Sequence, residues 1–168
     1  CAMNPCKCGY YGHPKKQCTC TSQQLAKYGS RISGPMLDRI DIHIPVRSVK
    51  FSDYGKKDSE NSETVRERIK RTMDIQKERY KDEKVKLNGR LDRRLTERYC
   101  RPCSSARSVL ESAVNEMGFS VRGCDKVLRI ARTIADMECR DEISKYDIAE
   151  ALQYRMLDRR EFLGYGNI

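Results

Sequence analysis

Residues 119–136 read FSVRGCDKVLRIARTIAD, and this stretch has the clearest helical pattern of the 168-residue chain. Its apolar side chains recur three and four residues apart, which places them on one face of a helix. They are Cys124, Val127, Leu128, Ala131, Ile134 and Ala135. Ser120 precedes the pattern and is predicted to cap the helix, because a serine side chain accepts hydrogen bonds from first-turn N–H groups.

Two further helices are predicted on either side of this one. The preceding helix ends at Gly118 and has an apolar face with the same spacing. Its face consists of Ala106, Val109, Leu110, Ala113, Val114 and Met117. The following helix starts at Ser144, which forms a predicted capping box with Asp147, while Ile143 and Ile148 are placed to pack across the cap. Its inner face continues through Ala151, Leu152 and Met156. Three helices with short links predict a small helical bundle.

The region before the bundle has a different character. Residues 63–81 predict a long charged helix with a narrow apolar stripe, beginning with a capping box at Thr64 and Glu67. Residues 40–46 alternate between apolar and polar, which predicts a short strand that buries Ile40, Ile42, Ile44 and Val46. His43 then lies on the polar face as an ordinary surface histidine. Residues 53–62 predict a flexible connection.

Composition narrows the classes of protein to consider. The chain has 34 Lys and Arg residues against 24 Asp and Glu residues, a formal charge of +10, and a mean hydropathy of −0.78. This balance favours polyanionic partners such as nucleic acid.

No apolar run approaches the roughly 20 residues that a membrane span needs. No signal peptide is recognisable, so a soluble, cytoplasmic protein without membrane partners is expected. The first residue is Cys1 instead of Met, which suggests a fragment or a processed chain.

Four of the nine cysteines form two close pairs near the start of the chain, Cys6 with Cys8 and Cys18 with Cys20. Two pairs joined by a loop that turns back can supply four thiolates to a tetrahedral zinc ion. Gly9, Gly12 and Pro14 allow that turn. The pattern therefore predicts a structural zinc site, and four unpaired or disulfide-bonded cysteines are the alternative.

His13 and a further cysteine pair are alternative candidates for metal ligands. His13 lies inside the loop and could replace one cysteine, although the four thiolates are preferred. Cys100 and Cys103 form another close pair directly before a predicted helix, where two ordinary cysteines are favoured over a second metal site.

Three motifs in order resemble the AAA+ ATPase family, and specifically its ComM and magnesium-chelatase branch. Ala2-Met3-Asn4-Pro5 resembles the segment that ends a core strand, and Asn4 is then the sensor-1 residue. Ser33-Gly34-Pro35-Met36-Leu37-Asp38-Arg39-Ile40-Asp41 resembles the segment with the arginine finger, which makes Arg39 the finger that reaches a neighbouring subunit. Without the resemblance, a local salt bridge of Arg39 with Asp38 or Asp41 is favoured.

Residues 119–136 are the third motif and resemble the lid helix of the branch, with Arg122 as sensor 2. The branch usually reads S-A-R-A here, so Val121 and Gly123 depart from it. The cysteine pairs after Asn4-Pro5 are typical of ComM-like members. Lys86-Leu87-Asn88 and Glu150-Ala151-Leu152-Gln153-Tyr154-Arg155 also match, so the resemblance extends from Ala2 to about Arg155.

The resemblance implies a mainly α chain: the end of an AAA+ α/β core with a sensor-1 strand end, a zinc knuckle, an arginine-finger segment and one short strand, followed by a C-terminal helical lid bundle. The expected domains are 1–50 for the core remnant, 51–103 for the charged connection, 104–160 for the lid and 161–168 for a tail. A G-x-x-x-x-G-K-[ST] loop does not occur in the sequence, and no acidic Walker B strand precedes Asn4. The fragment alone is therefore expected to be inactive.

The resemblance implies that the full-length protein hydrolyses ATP with Mg²⁺. It is expected to form a homo-oligomeric ring, a hexamer, that acts on DNA as a branch-migration helicase in natural transformation. Asn4, Arg39 and Arg122 are the expected catalytic residues, and Asn4 and Arg122 also contact nucleotide. Residues 56–101, with 16 basic and 10 acidic side chains, are a candidate for contacting DNA or a neighbouring subunit, and a solvated charged helix is the alternative. Two other functions stay open: a zinc-stabilised basic nucleic-acid-binding module without motor activity, and a magnesium-chelatase-type metal-insertion subunit.

Overall fold

The computed structural model describes residues 1–46 and 60–155. Its helices are α1 (Ser22–Gly29), α2 (Gly34–Leu37), α3 (Ser62–Arg79), a 3₁₀ helix (Asn88–Arg90), α4 (Arg93–Tyr99), α5 (Ser104–Met117), α6 (Val121–Met137) and α7 (Lys145–Gln153). The predicted mainly α class is confirmed. The described residues form two compact units, one with residues 1–43 and Arg155, the other within residues 44–154. In the described ranges, no helix is both long enough and apolar enough to cross a membrane.

The predicted caps of the C-terminal helices are confirmed, but α7 ends at Gln153, short of the predicted Met156. The Ser120 hydroxyl accepts a hydrogen bond from the Gly123 N–H at 3.0 Å and caps α6. Gly118 ends α5 in the left-handed conformation, with φ of 63°, which glycine adopts without steric cost. Ser144 and Asp147 form the predicted capping box at the start of α7.

The second unit has its apolar core around α6. This helix packs against α7, α3, α4 and the 3₁₀ helix, while α5 packs against α7. The core consists of Tyr80, Leu91, Leu95, Cys100, Ala106, Val127, Ala131, Ala135, Ile143, Ile148 and Ala151. The described residues of the faces predicted for α5, α6 and α7 are buried or partly buried, whereas the side chains of the predicted Met117 and Met156 lie outside the description.

A buried carboxylate joins the elements around the end of α6. Asp136 is 1% exposed, and its two oxygens accept hydrogen bonds from both terminal nitrogens of Arg79 on α3, at 2.8 and 2.6 Å. The Nε of Arg132 donates to the same carboxylate at 3.0 Å, and Asn88 Nδ2 donates at 2.9 Å. Although burial disfavours its charge, Arg79 has a raised pKa because Asp136 stabilises the guanidinium. Asp136 thus fixes α3 and the 3₁₀ helix onto α6.

Asn88 extends this network to the other side of the core. Its side-chain oxygen accepts a 2.6 Å hydrogen bond from the Tyr80 hydroxyl, and its backbone N–H donates to Gln76 Oε1 at 3.0 Å. The two terminal nitrogens of Arg132 donate to the carbonyls of Arg140 and Asp141. Buried polar groups that are all paired in this way make the packing specific, because any other arrangement leaves one of them unpaired.

The local predictions for two segments are wrong. The strand over residues 40–46 is not formed, and Ile42, Ile44 and Val46 are 47%, 66% and 92% exposed. A strand needs a hydrogen-bonded neighbour, and the only β contact in the described ranges is one bridge between Pro102 and Ile143. Because the backbone is not pleated here, successive side chains do not alternate between two faces, and His43 is buried at 4% exposure instead of lying on the surface.

The second wrong prediction concerns the start of the long charged helix, whose existence the structure confirms. Asn61 is the N-cap, and its side chain accepts a hydrogen bond from the Thr64 N–H at 2.8 Å. The predicted capping box at Thr64 and Glu67 is absent because the helix already begins at Ser62. Residues 53–59 of the predicted flexible connection lie outside the described ranges.

The substitution Asp136→Asn is expected to lower the free energy of unfolding of this chain by about 3–5 kcal/mol, because it leaves the buried guanidinium of Arg132 and the partly buried one of Arg79 without their counter-charge. The measurement is urea-induced unfolding followed by circular dichroism. Asp74→Asn is the matched control. Its exposed pair with Lys77 at 2.9 Å predicts a change below about 1 kcal/mol. Equal effects of the two substitutions would contradict the role given to Asp136.

Candidate metal centre and exposed arginines

The loop between the cysteine pairs folds back through two glycines with positive φ. Gly9 and Gly12 have φ of 81° and 73°, values that other residues rarely adopt. Hydrogen bonds from the Gly9 N–H to the Cys6 carbonyl, at 3.1 Å, and from the His13 N–H to the Tyr10 carbonyl, at 3.0 Å, close the two turns. The predicted reversal of the loop is confirmed, and it returns the chain to the second cysteine pair.

The four sulfur atoms of Cys6, Cys8, Cys18 and Cys20 lie within 4.8 Å of one another. The Cys6–Cys8, Cys8–Cys18 and Cys6–Cys18 separations are 3.3, 3.5 and 3.7 Å. Sulfurs bound tetrahedrally at about 2.3 Å from a zinc ion stand about 3.8 Å apart, so this set fits such an ion. All nine cysteines are free thiols, which excludes the disulfide alternative in this structure.

The ionisation of these thiols is uneven. Hydrogen bonds from the backbone N–H groups of Tyr10 and Thr19 lower the pKa of Cys8 to about 5. A hydrogen bond from the Cys20 backbone N–H lowers the pKa of Cys18, but burial and the neighbouring thiols outweigh it and raise this pKa to about 12. Sulfurs this close resist carrying several negative charges together unless a cation lies between them. A bound metal ion would supply that cation and would favour deprotonation of the remaining thiols.

The other metal-ligand candidates lie apart from this cluster. Nδ1 of His13 accepts hydrogen bonds from the backbone N–H groups of Lys15 and Lys16, both at 3.0 Å, and so is already engaged. Cys100 is 1% exposed, and burial raises its pKa to about 12. Cys103 occupies the N-cap position of α5 without a side-chain capping hydrogen bond. Within residues 1–46 and 60–155, the four cysteines are the only group of three or more residues placed to hold a metal ion.

Arg39 follows the short helix α2, which begins with Gly34 and Pro35. Its side chain is exposed, and Nη1 donates to the Pro35 carbonyl at 2.9 Å. No carboxylate of the described chain forms an ion pair with it, so the salt bridge with Asp38 or Asp41 that was the alternative is not formed. The guanidinium is therefore free to meet an external anion.

Arg155 holds the backbone beside Arg39, and sequence reasoning did not foresee this role. Its side chain is completely buried, and Nη1 donates to the carbonyls of Ile40 and Asp41. Its Nη2 lies 3.7 Å from an Asp38 oxygen. In the sequence, Arg155 is only the last residue of a segment that matches the family, and a single charged residue gives no periodic signal of burial.

Arg122 lies in the first turn of α6, directly after the helix start at Val121. Its side chain is exposed, and among the residues whose positions are described it makes no ion pair. The N–H groups of a first helical turn and the helix dipole both favour a negative charge at this end. Gly123, where the sequence departs from the resembled pattern, is buried with Phe119 3.2 Å from where its Cβ would stand.

Asn4 is exposed and lies in irregular backbone two residues before the buried Cys6. It belongs with Arg39 to the first unit, whereas Arg122 belongs to the second. The structure brings together the four cysteines, and it places each of the other three predicted residues at a surface. Their catalytic roles stay predictions.

Family models match nearly the whole chain. Residues 59–155 match the model described as "Magnesium chelatase, subunit ChlI C-terminal", and residues 1–54 match "Magnesium chelatase, subunit ChlI". The first of these matches covers more than half of the chain, so it establishes family membership.

Relatives from several bacteria agree with these matches. Uncharacterized protein YifB of Salmonella typhimurium is 36% identical over 160 residues, which cover 94% of this chain and 30% of that protein. Competence protein ComM of Haemophilus influenzae is 35% identical over 161 residues, covering 94% of the chain and 30% of the relative. YifB of Escherichia coli is 34% identical over 160 residues with the same coverage. The chain thus spans about a third of the length of these curated relatives, and it belongs to the magnesium-chelatase ChlI family, in the ComM- and YifB-like group.

Proposed function

We propose that this chain is part of an ATP-driven ring motor that acts on DNA, to which it supplies the nucleotide sensors, a finger for the neighbouring subunit and the lid. The observation that carries the proposal is the state of Arg39 and Arg122. Both guanidinium groups are exposed, and in the described residues no carboxylate neutralises either. Four other arginines, in contrast, are held in internal contacts: Arg79, Arg132, Arg140 and Arg155.

Each of the three predicted residues has a definite task in phosphoryl transfer. The Arg39 guanidinium has donors in a fixed plane that match the charge growing on a transferred phosphoryl group of the adjacent subunit. Arg122, at the start of α6, binds nucleotide phosphate of the lid's own site. The Asn4 amide both donates and accepts, so it can orient an attacking water beside the γ-phosphate. Bound Mg²⁺ would neutralise phosphate charge in such a site.

DNA is the proposed polymer because of the net positive charge of the chain and its similarity to a competence protein. The net charge of +10 attracts a polyanion. One relative is named a competence protein, and competence is the uptake of DNA. A hexameric ring that migrates DNA branches during natural transformation is the specific form proposed.

Zinc is the proposed metal of the four-cysteine centre. Four thiolates suit zinc and leave no open position for water, so the site stabilises the loop and does not take part in hydrolysis. The fit of the sulfur positions to a tetrahedral ion supports this choice.

Protein purified under reducing conditions is expected to carry about one zinc ion per chain, and Cys6→Ser should release it because three thiolates bind much more weakly than four. Elemental analysis by mass spectrometry makes the measurement. Cys139→Ser, at an exposed cysteine outside the centre, is the matched control and should retain the metal. Zinc-free wild-type protein, or full zinc in Cys6→Ser, would remove the site.

Arg39→Ala, made in a full-length protein of the relatives' size, is expected to lower kcat for ATP hydrolysis about a thousandfold or more, the effect of losing an arginine finger. The nucleotide Kd should not change, since the finger belongs to the neighbouring site. Arg31→Ala, at another exposed arginine of the same unit, is the control. Unchanged turnover would exclude Arg39 from catalysis.

Arg122→Ala in the same protein is expected to weaken ATP binding or turnover by about tenfold or more, through the loss of a charge-assisted phosphate contact. The measurements are nucleotide titration and steady-state hydrolysis, with Arg107→Ala on α5 as the exposed control. If both variants hydrolyse ATP like wild type, Arg122 is not a sensor. A full-length protein that binds DNA but never hydrolyses ATP would instead be a zinc-stabilised binding module.

A further inference from the structure

We infer that the loop between the two cysteine pairs, residues 9–17, binds single-stranded DNA through the ring of Tyr10 and the lysines beside it. This inference rests on the proposed function, since it names the surface through which such a motor would hold the strand. Three observations support it: an exposed aromatic ring, the ammonium group of Lys16 held next to that ring, and a neighbouring sequence without acidic residues.

Tyr10 presents its ring at the surface of the loop, with 37% of the residue exposed. The His13 ring meets it edge to face, with ring centres 5.9 Å apart. His13 is itself fixed by the hydrogen bonds that it accepts from the backbone of Lys15 and Lys16. The loop therefore holds an aromatic ring in a defined orientation, on which an unpaired base can stack.

The Lys16 ammonium lies 4.8 Å from the centre of the Tyr10 ring and 3.5 Å from its hydroxyl. Lys7 and Lys15 are exposed in the same segment. A strand whose base stacks on Tyr10 carries a phosphate on each side of that base, within reach of these long side chains. Proteins that bind single strands without sequence preference usually combine two features: aromatic rings on which bases stack, and cationic side chains that contact the phosphates.

The surrounding chain has no carboxylate to compete with phosphate. Residues 1–37 contain five Lys and Arg residues and no Asp or Glu. A divalent ion bound by four thiolates would add about two negative charges, and the five cations still exceed them. Duplex DNA fits less well, because its bases are already stacked on one another and leave none for the ring.

The test is fluorescence anisotropy of a labelled oligodeoxythymidylate of about 16 nucleotides, titrated with full-length, zinc-loaded protein. Tyr10→Ala should raise Kd by about five- to a hundredfold, whereas Tyr10→Phe keeps the ring and should stay within about twofold. The double variant Lys15→Ala, Lys16→Ala should bind with a weaker salt dependence: the negative slope of log K against log salt should become shallower by about 0.7 for each lost phosphate contact. Zinc content, measured for each variant, shows that the loop is still folded.

Tyr146→Ala is the matched control, because Tyr146 is 73% exposed and has the Lys145 ammonium 5.2 Å from its ring centre, but lies outside the loop. It should leave Kd unchanged. Equal affinity of wild type and Tyr10→Ala, an equal loss in Tyr146→Ala, or displacement of the strand by polyglutamate as readily as by unlabelled strand would each overturn the inference. ATP hydrolysis without DNA, recorded on the same samples, tests the motor separately: its absence in wild type would contradict the motor and leave the loop result standing.

Discussion

The carboxylate of Asp136 is the constraint on which the second unit depends. It is buried at the end of α6, where it accepts hydrogen bonds from Arg79 of α3, from Arg132 one turn earlier and from Asn88 of the 3₁₀ helix. A buried charge is tolerated only when it is paired and fully hydrogen-bonded, so the helices must meet in one arrangement. The C-terminal half of α6 is therefore fixed.

The fixed end of α6 has a consequence for its other end. Its first turn is capped by Ser120, and the Arg122 side chain in that turn is exposed to solvent. Because an α-helix is stiff over a length of 17 residues, holding one end also determines where the other end points. Asp136 thus connects packing to function: the contacts that fold the lid also present the arginine proposed to bind phosphate.

The first unit achieves a similar result with little apolar core. Its order comes from four clustered thiols and from Arg155, whose donors bind the backbone carbonyls of Ile40 and Asp41. A small unit with few buried apolar side chains usually needs such a cross-link. A metal ion bound by the four thiols would cross-link the loop that presents Tyr10, and Arg155 steadies the segment that presents Arg39.

The sequence predicted those elements whose cause is local. The spacing of apolar residues predicted the three C-terminal helices, with caps at Ser120 and Ser144. The spacing of the cysteine pairs predicted their cluster. The polar network around Asp136 could not be predicted, because Arg79 and Asp136 are 57 residues apart and nothing in their spacing pairs them. The prediction of a strand over residues 40–46 was wrong for a related reason: a strand is stabilised by hydrogen bonds to a neighbouring strand, which its own sequence does not show.

The central claim, that Arg39 completes a nucleotide site of the adjacent subunit, is tested most directly by mixing two inactive full-length proteins. One carries Arg39→Ala, and the other has alanine in place of the lysine of its phosphate-binding loop. In mixed rings, some interfaces join an intact loop to an intact Arg39. An equal mixture should then regain up to about a quarter of wild-type ATP hydrolysis, as head-to-tail subunit interfaces require. A mixture as inactive as its two components would contradict the account.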